Sequence, residues 1–113
     1  LVAKQHETRF KEKVKKGLDK IQPGFHFKTQ MKSLRGVPDI VGCFGGHAVA
    51  LELKVGADVE PLQTWTLRQW EKAGAYARVV TPANLEAVLA DLQRLAGTPR
   101  ASLPRAILLG RTP

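Results

Sequence analysis

The sequence predicts an α/β domain in which a mixed central sheet is flanked by helices, in the order α-β-β-β-α-β-α. Three observations carry this. Three segments place apolar residues at helical spacing, and four short runs between them read as strands. A Gly45-Gly46 pair separates two of those runs, as a two-residue hairpin turn would. A helical segment stands between the third strand and the fourth, so that connection is a crossover instead of a hairpin.

Residues 4–21 form the first helix. At about 100° per residue, Phe10, Val14, Leu18 and Ile21 fall within roughly an 80° arc. Lys and Arg occupy half of the remainder, and Pro23-Gly24 ends the helix. Phe25–Met31 reads as a strand, with Phe25, Phe27 and Thr29 to one side and His26 and Lys28 to the other. Ser33–Gly36 is loop. Asp39–Phe44 and His47–Val55 make the clearest hairpin, with Val49, Leu51, Leu53 and Val55 on its core face. A second helix spans about Val59–Ala73, opened by Asp58 and closed by Gly74. Tyr76–Val80 is a short strand. Thr81-Pro82 supplies an N-cap and first-turn proline for a last helix that carries Leu85, Val88, Leu89, Leu92 and Leu95 on one side and ends at Gly97. Residues 1–97 are therefore expected to be one domain, and 98–113 a basic, proline-containing tail.

The chain has 113 residues, 43% of them hydrophobic, enough for one modest core. No apolar run approaches the ~20 residues of a membrane span, so no membrane partner is expected. The single cysteine, Cys43, excludes an internal disulfide framework and fits a reducing, cytoplasmic compartment. The formal charge of +8 is unevenly spread. Residues 1–36 hold ten Lys+Arg against three acids, residues 37–97 hold five against seven, and the tail adds three Arg with no acid. An even coat for solubility would not polarise the chain in this way. A solvated Lys-rich helix explains part of it. The sharper reading is a cationic helix and loop that track a phosphate backbone, with Lys4, Lys11, Lys15, Lys28, Lys32 and Arg35 as candidates.

The hairpin makes a geometric statement. With the turn at 45 and 46, Phe44 faces His47, and counting outwards sets Asp39 across from Glu52. Cross-strand partners share a face with Cα atoms about 4.5–5.5 Å apart. Like charges there repel, and a bound divalent cation reverses the sign. Lys54 points to the same side of the strand as Glu52. Glu7 adds a third carboxylate, because on the helical wheel it falls inside the apolar arc between Val14 and Leu18. An inward acid needs a partner, although a Glu near a helix N-terminus also interacts favourably with the dipole. Gln63 groups with Leu67 and Trp70 on the second helix, where an amide bond to backbone is its simplest role. Paired carboxylates with a lysine suit metal-assisted phosphodiester hydrolysis. Mg²⁺ takes one or two carboxylates and keeps other positions for water and phosphate oxygens, and it activates a bound water.

Gly36-Val37-Pro38-Asp39, then Glu52-Leu53-Lys54, then Gln63 resemble the PD-(D/E)xK nuclease superfamily, with its restriction-endonuclease-like core. Within that superfamily the chain is most similar to the VRR-NUC domain, the branch near the archaeal-type Holliday junction resolvases. Glu7 matches the first-helix acid of the family, and the similarity runs from about Glu7 to Leu95. The resemblance implies that Asp39 and Glu52 bind Mg²⁺ or Mn²⁺, with the Leu53 carbonyl as a further ligand, and Glu7 is expected to hold the metal with them. It implies a catalytic role for Lys54 and supporting roles for Glu7 and Gln63. It further implies a free-standing phage or bacterial nuclease, a homodimer that cuts branched DNA such as four-way (Holliday) junctions in the bacterial or phage-infected cytoplasm. A flap- or restriction-type nuclease of the same fold is the nearest alternative, and RNA carries the same phosphodiester chemistry. A non-catalytic basic DNA-binding module is the alternative from another class.

Other constellations are weaker. Cys43 and His47 flank a hairpin turn with no second pair at zinc-ligand spacing, so a buried, satisfied Cys43 is expected. His6, His26 and His47 do not group with a nucleophile. No glycine-rich phosphate loop is present, and no organic cofactor is expected. Trp65 and Trp70 suit a core; Trp65, on the other flank of its helix from Gln63, is the better candidate for a dimer or DNA surface.

Overall fold

Helix α1 (Val2–Asp19) leads into strand β1 (Gly24–Lys28), followed by β2 (Ile40–Phe44), β3 (His47–Leu53), helix α2 (Pro61–Lys72), β4 (Tyr76–Val80) and α3 (Leu85–Gly97). This computed structural model describes residues 2–30, 35–56 and 58–101, with side chains from residue 5. The four strands form one sheet in the order β1-β2-β3-β4. The first three run antiparallel as a meander, and β4 lies parallel to β3. The chain is thus an α/β protein with a mixed four-stranded sheet and three helices.

The hairpin register is the one the turn dictates. Phe44 pairs with His47 and Ile40 with Leu51. Gly45 and Gly46 hold φ of 57° and 82°, the left-handed pair that this turn requires. A side chain at Gly45 would also come within 2.7 Å of the Leu95 carbonyl oxygen. The chain after α3 is tied to this tip: the Arg100 N–H donates to the Gly45 carbonyl at 2.8 Å, and His47 Nε2 donates to the Thr98 carbonyl at 2.7 Å. Of the expected tail, residues 102–113 lie outside the described residues.

Alternation sorts the strand residues between two faces. Val49, Leu51, Ile40 and Val80 join Phe10, Val14, Leu18 and Ile21 from the first helical segment, and Leu85, Val88, Leu92 and Ala96 from α3, in the main core. Each large aliphatic or aromatic side chain buried there contributes about 1.5–3 kcal/mol. On the other face a smaller cluster joins Ala50 and Ala77 to Leu67 of α2, with Trp70 and Val79 packed against it. α1 and α3 thus cover one face, and α2 covers the β3–β4 half of the other.

Several boundaries move. β1 stops at Lys28 instead of Met31, and β3 at Leu53 instead of Val55. α2 starts at Pro61, with Glu60 at its N-cap in place of Asp58, because proline is preorganised for the first helical position and lacks an N–H to leave unbonded. α3 starts at Leu85, three residues past the expected proline. Asn84 explains that delay: its Oδ1 accepts the Thr81 N–H at 2.7 Å and its Nδ2 donates to the Val79 carbonyl at 2.9 Å, which closes a turn before the helix. Cys43 is exposed, not buried, since it points to the face that α2 leaves uncovered.

Candidate metal and nucleic-acid site

Asp39 immediately precedes β2, and Glu52 lies near the end of β3. Continuing the observed register by one pair sets them side by side, on the face that carries Ala50. Three backbone-level contacts fix Asp39. Thr29 donates its Oγ1 hydroxyl to the Pro38 carbonyl at 2.5 Å, and its N–H to the Asp39 carbonyl at 2.9 Å. The Asp39 carboxylate in turn accepts the Leu53 N–H at 2.8 Å through Oδ2. That last bond draws the carboxylate across to β3, beside Glu52. The Lys54 N–H donates to the Val80 carbonyl at 2.9 Å, so the strand that presents Glu52 is braced from its other side as well.

Glu52 is 1% exposed, the one buried charged or polar residue among those described. No donor among the described residues meets either of its carboxylate oxygens; the group beside it is the Asp39 carboxylate, with which it can share only a proton or a cation. Burial, followed by the Asp39 carboxyl beside it, pushes Glu52 up to about 8, while the Lys54 ammonium pulls in the opposite direction. A buried carboxyl with two unmatched oxygens costs several kcal/mol unless something charged or donating meets it. The donor set fits a hard divalent cation: the Glu52 carboxylate, the remaining oxygen of Asp39 and the adjoining Leu53 carbonyl are all oxygen ligands, as Mg²⁺ or Mn²⁺ prefers.

The third carboxylate does not join them. Glu7 is 56% exposed and pairs with Lys11 at 3.1 Å. Among the described residues no three His, Cys, Asp or Glu side chains gather closely enough to hold a metal ion. Glu7 lies one turn before Phe10, the first buried residue of α1. The apolar arc has no partner above it there, and solvent and Lys11 satisfy the carboxylate more cheaply than the core. Gln63 is half-buried, and its Oε1 accepts the Glu60 N–H at 3.2 Å. This closes the first turn of α2, the simplest role open to it.

On the α1 side, a cleft of about 580 Å³ leads to Asp39 and Leu53. Lys11 and Lys15 line one wall from α1, and His26 and Lys28 the other from β1. Lys15 bonds Asp19 at 3.0 Å, and His26 Nε2 meets the other oxygen of that carboxylate at 2.8 Å. Lys15 first, and His26 after it, hold Asp19 below the usual carboxylate range. His26 is further fixed by stacking on Phe44, 6.1 Å between centroids. Arg35 is exposed in the turn before Asp39. Lys32 and the side chain of Lys4 lie outside what is described.

Comparison with protein-family models, with curated proteins and with solved structures finds no match to this chain. Sequence reasoning missed Thr29 as the residue that positions Asp39, and His26, held by Asp19, as a fixed part of the cleft wall. Of the candidate surface residues, Trp65 is 60% exposed, while Trp70 is part-buried against the α2 cluster. No helix among the described residues is long and apolar enough to cross a membrane.

Proposed function

We propose that this protein is a Mg²⁺- or Mn²⁺-dependent endodeoxyribonuclease with a PD-(D/E)xK-type core that hydrolyses phosphodiester bonds in branched DNA, four-way junctions in particular. The observation that carries the proposal is Glu52, a buried carboxyl with both oxygens unmatched, set beside Asp39. Such a pair is costly without a cation and useful with one. Asp39, Glu52 and the Leu53 carbonyl would hold the metal, whose chemistry is to polarise a phosphate oxygen and acidify a water. Thr29 and the Leu53 N–H keep Asp39 in place. Lys54, close enough to lower the Glu52 pKa, offers its ammonium to the attacking water or to the charge that develops on phosphate. Lys28 lines the cleft beside Asp39, and Lys11 and Lys15 line it too while ion-paired with Glu7 and Asp19, so a phosphate backbone would enter by exchanging with those pairs. The choice of branched DNA rests on the family resemblance.

The test is cleavage of an end-labelled four-way junction with and without Mg²⁺ or Mn²⁺. Strand breaks should require the metal and disappear in Glu52→Gln and Asp39→Asn. Salt-sensitive binding with no metal-dependent breaks would instead identify a non-catalytic DNA-binding module.

A further inference from the structure

Among the described residues, the α2 face of the sheet is only half covered. α2 packs on Ala50 and Ala77, and no described element lies over the β1–β2 half. There Phe25 is 71% and Phe27 53% exposed, with their ring centroids 6.2 Å apart. Phe25 pairs across to Cys43 and Phe27 to Val41, so the two rings stand over a floor of small side chains. The next pair along this face is Thr29 and Asp39, with Glu52 beyond. The aromatic rings therefore lie one step, about 7 Å along the strands, from the carboxylate pair.

Exposed aromatic rings of this kind need an occupant, and the charge of the molecule selects among the candidates. A second copy would bring one +8 chain against another, whereas a polyanion is attracted. A positive group also stands at the end of the patch where Asp39 sits: the Arg35-Gly36 turn lies against Leu62 and Thr66 of α2 there, while Lys28, next to Phe27 on β1, alternates to the opposite face of the same end. We propose that Phe25 and Phe27 form a stacking platform for two successive unpaired nucleobases. The strand they hold is the one whose phosphate reaches Asp39 and Glu52. This rests on the nuclease reading and sharpens it: the substrate has unpaired nucleotides beside the bond that is cut, and fully paired duplex is a poor ligand. Aromatic platforms accept any base, because each presents a π-face, so little sequence preference is expected.

The experiment is fluorescence anisotropy in EDTA, with an oligothymidylate and a blunt hairpin duplex of equal phosphate count as probes. Phe25→Ala combined with Phe27→Ala should weaken oligothymidylate binding by about tenfold or more and leave duplex binding within about twofold. Phe27→Trp should retain the affinity. Equal loss on both probes, or no loss on either, overturns the platform. So does a chain that sediments as a dimer, becomes a monomer in the double alanine variant and binds oligothymidylate as before, which would make the face a self-interface. Loss of thermal stability in that variant with unchanged binding would assign the rings to packing under another part of the chain, and also overturns it. Cleavage is scored separately. A protein that binds single strands through the two rings yet never cuts keeps the platform and loses the nuclease. One that cuts junctions with metal, and whose oligothymidylate affinity ignores the rings, does the reverse.

Discussion

Replacing Glu52 by glutamine should stabilise the metal-free protein at alkaline pH, and the size of the effect follows from the burial of this side chain. The carboxyl titrates near 4.5 when ordinary and at about 8 in the fold. A raised value means that the folded state holds the proton more tightly. The contribution to stability is complete below pH 4.5 and is lost as pH rises through 8. At about 1.4 kcal/mol per pH unit, the loss is at most on the order of 5 kcal/mol by pH 9, and about 3 kcal/mol at pH 7. Against a total stability of about 5–15 kcal/mol, that is a large fraction. Glutamine carries no charge at any pH and can donate its amide to Asp39. Thermal unfolding in EDTA from pH 5 to 9 should therefore show wild type falling by about 10–20 °C more than Glu52→Gln. Identical pH slopes in the two proteins would refute the account of Glu52 as a buried, metal-seeking acid. Adding Mn²⁺ at pH 7 should restore wild type alone and release close to one proton per ion bound, seen as a buffer-dependent heat.

Three further outcomes are expected. Thr29→Val keeps the shape but removes the hydroxyl bond to the Pro38 carbonyl; it should cost about 1 kcal/mol in urea unfolding and weaken Mn²⁺ binding by about tenfold or more. Lys28→Gln should lower the slope of log binding constant against log salt by about 1 for a phosphate-contacting lysine, measured by anisotropy across a salt series. Phe44→Ala empties a fully buried position and removes the surface on which His26 stacks; about 3–5 kcal/mol of stability should be lost, read from the urea midpoint at constant slope.

The legible parts of the site are those fixed by short-range geometry. A Gly-Gly turn leaves one register for β2 and β3, so the pairing of Asp39 with Glu52 could be counted from the sequence. β1 reaches β2 through a long loop, which imposes no register, and Thr29 was therefore invisible as the partner of Asp39. Glu7 misled for a related reason. A helical wheel ranks residues by angle alone, but a stripe is buried only where a sheet or helix lies over it, and that cover begins at Phe10. The exposure of Cys43 and of the two phenylalanines has a similar origin. Strands are spaced about 4.8 Å apart and a helix is about 10 Å across, so α2 alone can cover about two of the four strands. Alternation assigned those residues to a face, but it carried no information on how much of the face a helix would reach.

The two half-sites on opposite faces of the sheet meet at one place only. The lysine-lined cleft lies on the α1 side of β1 and β2, and the bare aromatic surface lies on the α2 side. Lys28 and Phe27 are consecutive, so alternation sends one to each face. Both surfaces run to the same end of the sheet, where Thr29, Asp39 and Glu52 stand in a row across three adjoining segments. A nucleic-acid strand has the same division, with charge along its backbone and apolar rings projecting to one side. Laid over that end of the sheet, it would set phosphates toward the lysines and bases toward the phenylalanines, with the bond between them at the carboxylate pair. On this account the polarised charge of the sequence and the half-face that no described element covers serve one purpose. Moving the two aromatic residues by one position along β1, to 26 and 28, should therefore abolish single-strand preference even though composition and net charge are unchanged. A Phe25→His, His26→Phe, Phe27→Lys, Lys28→Phe chain that folds and still prefers oligothymidylate over duplex would show that the two faces do not cooperate.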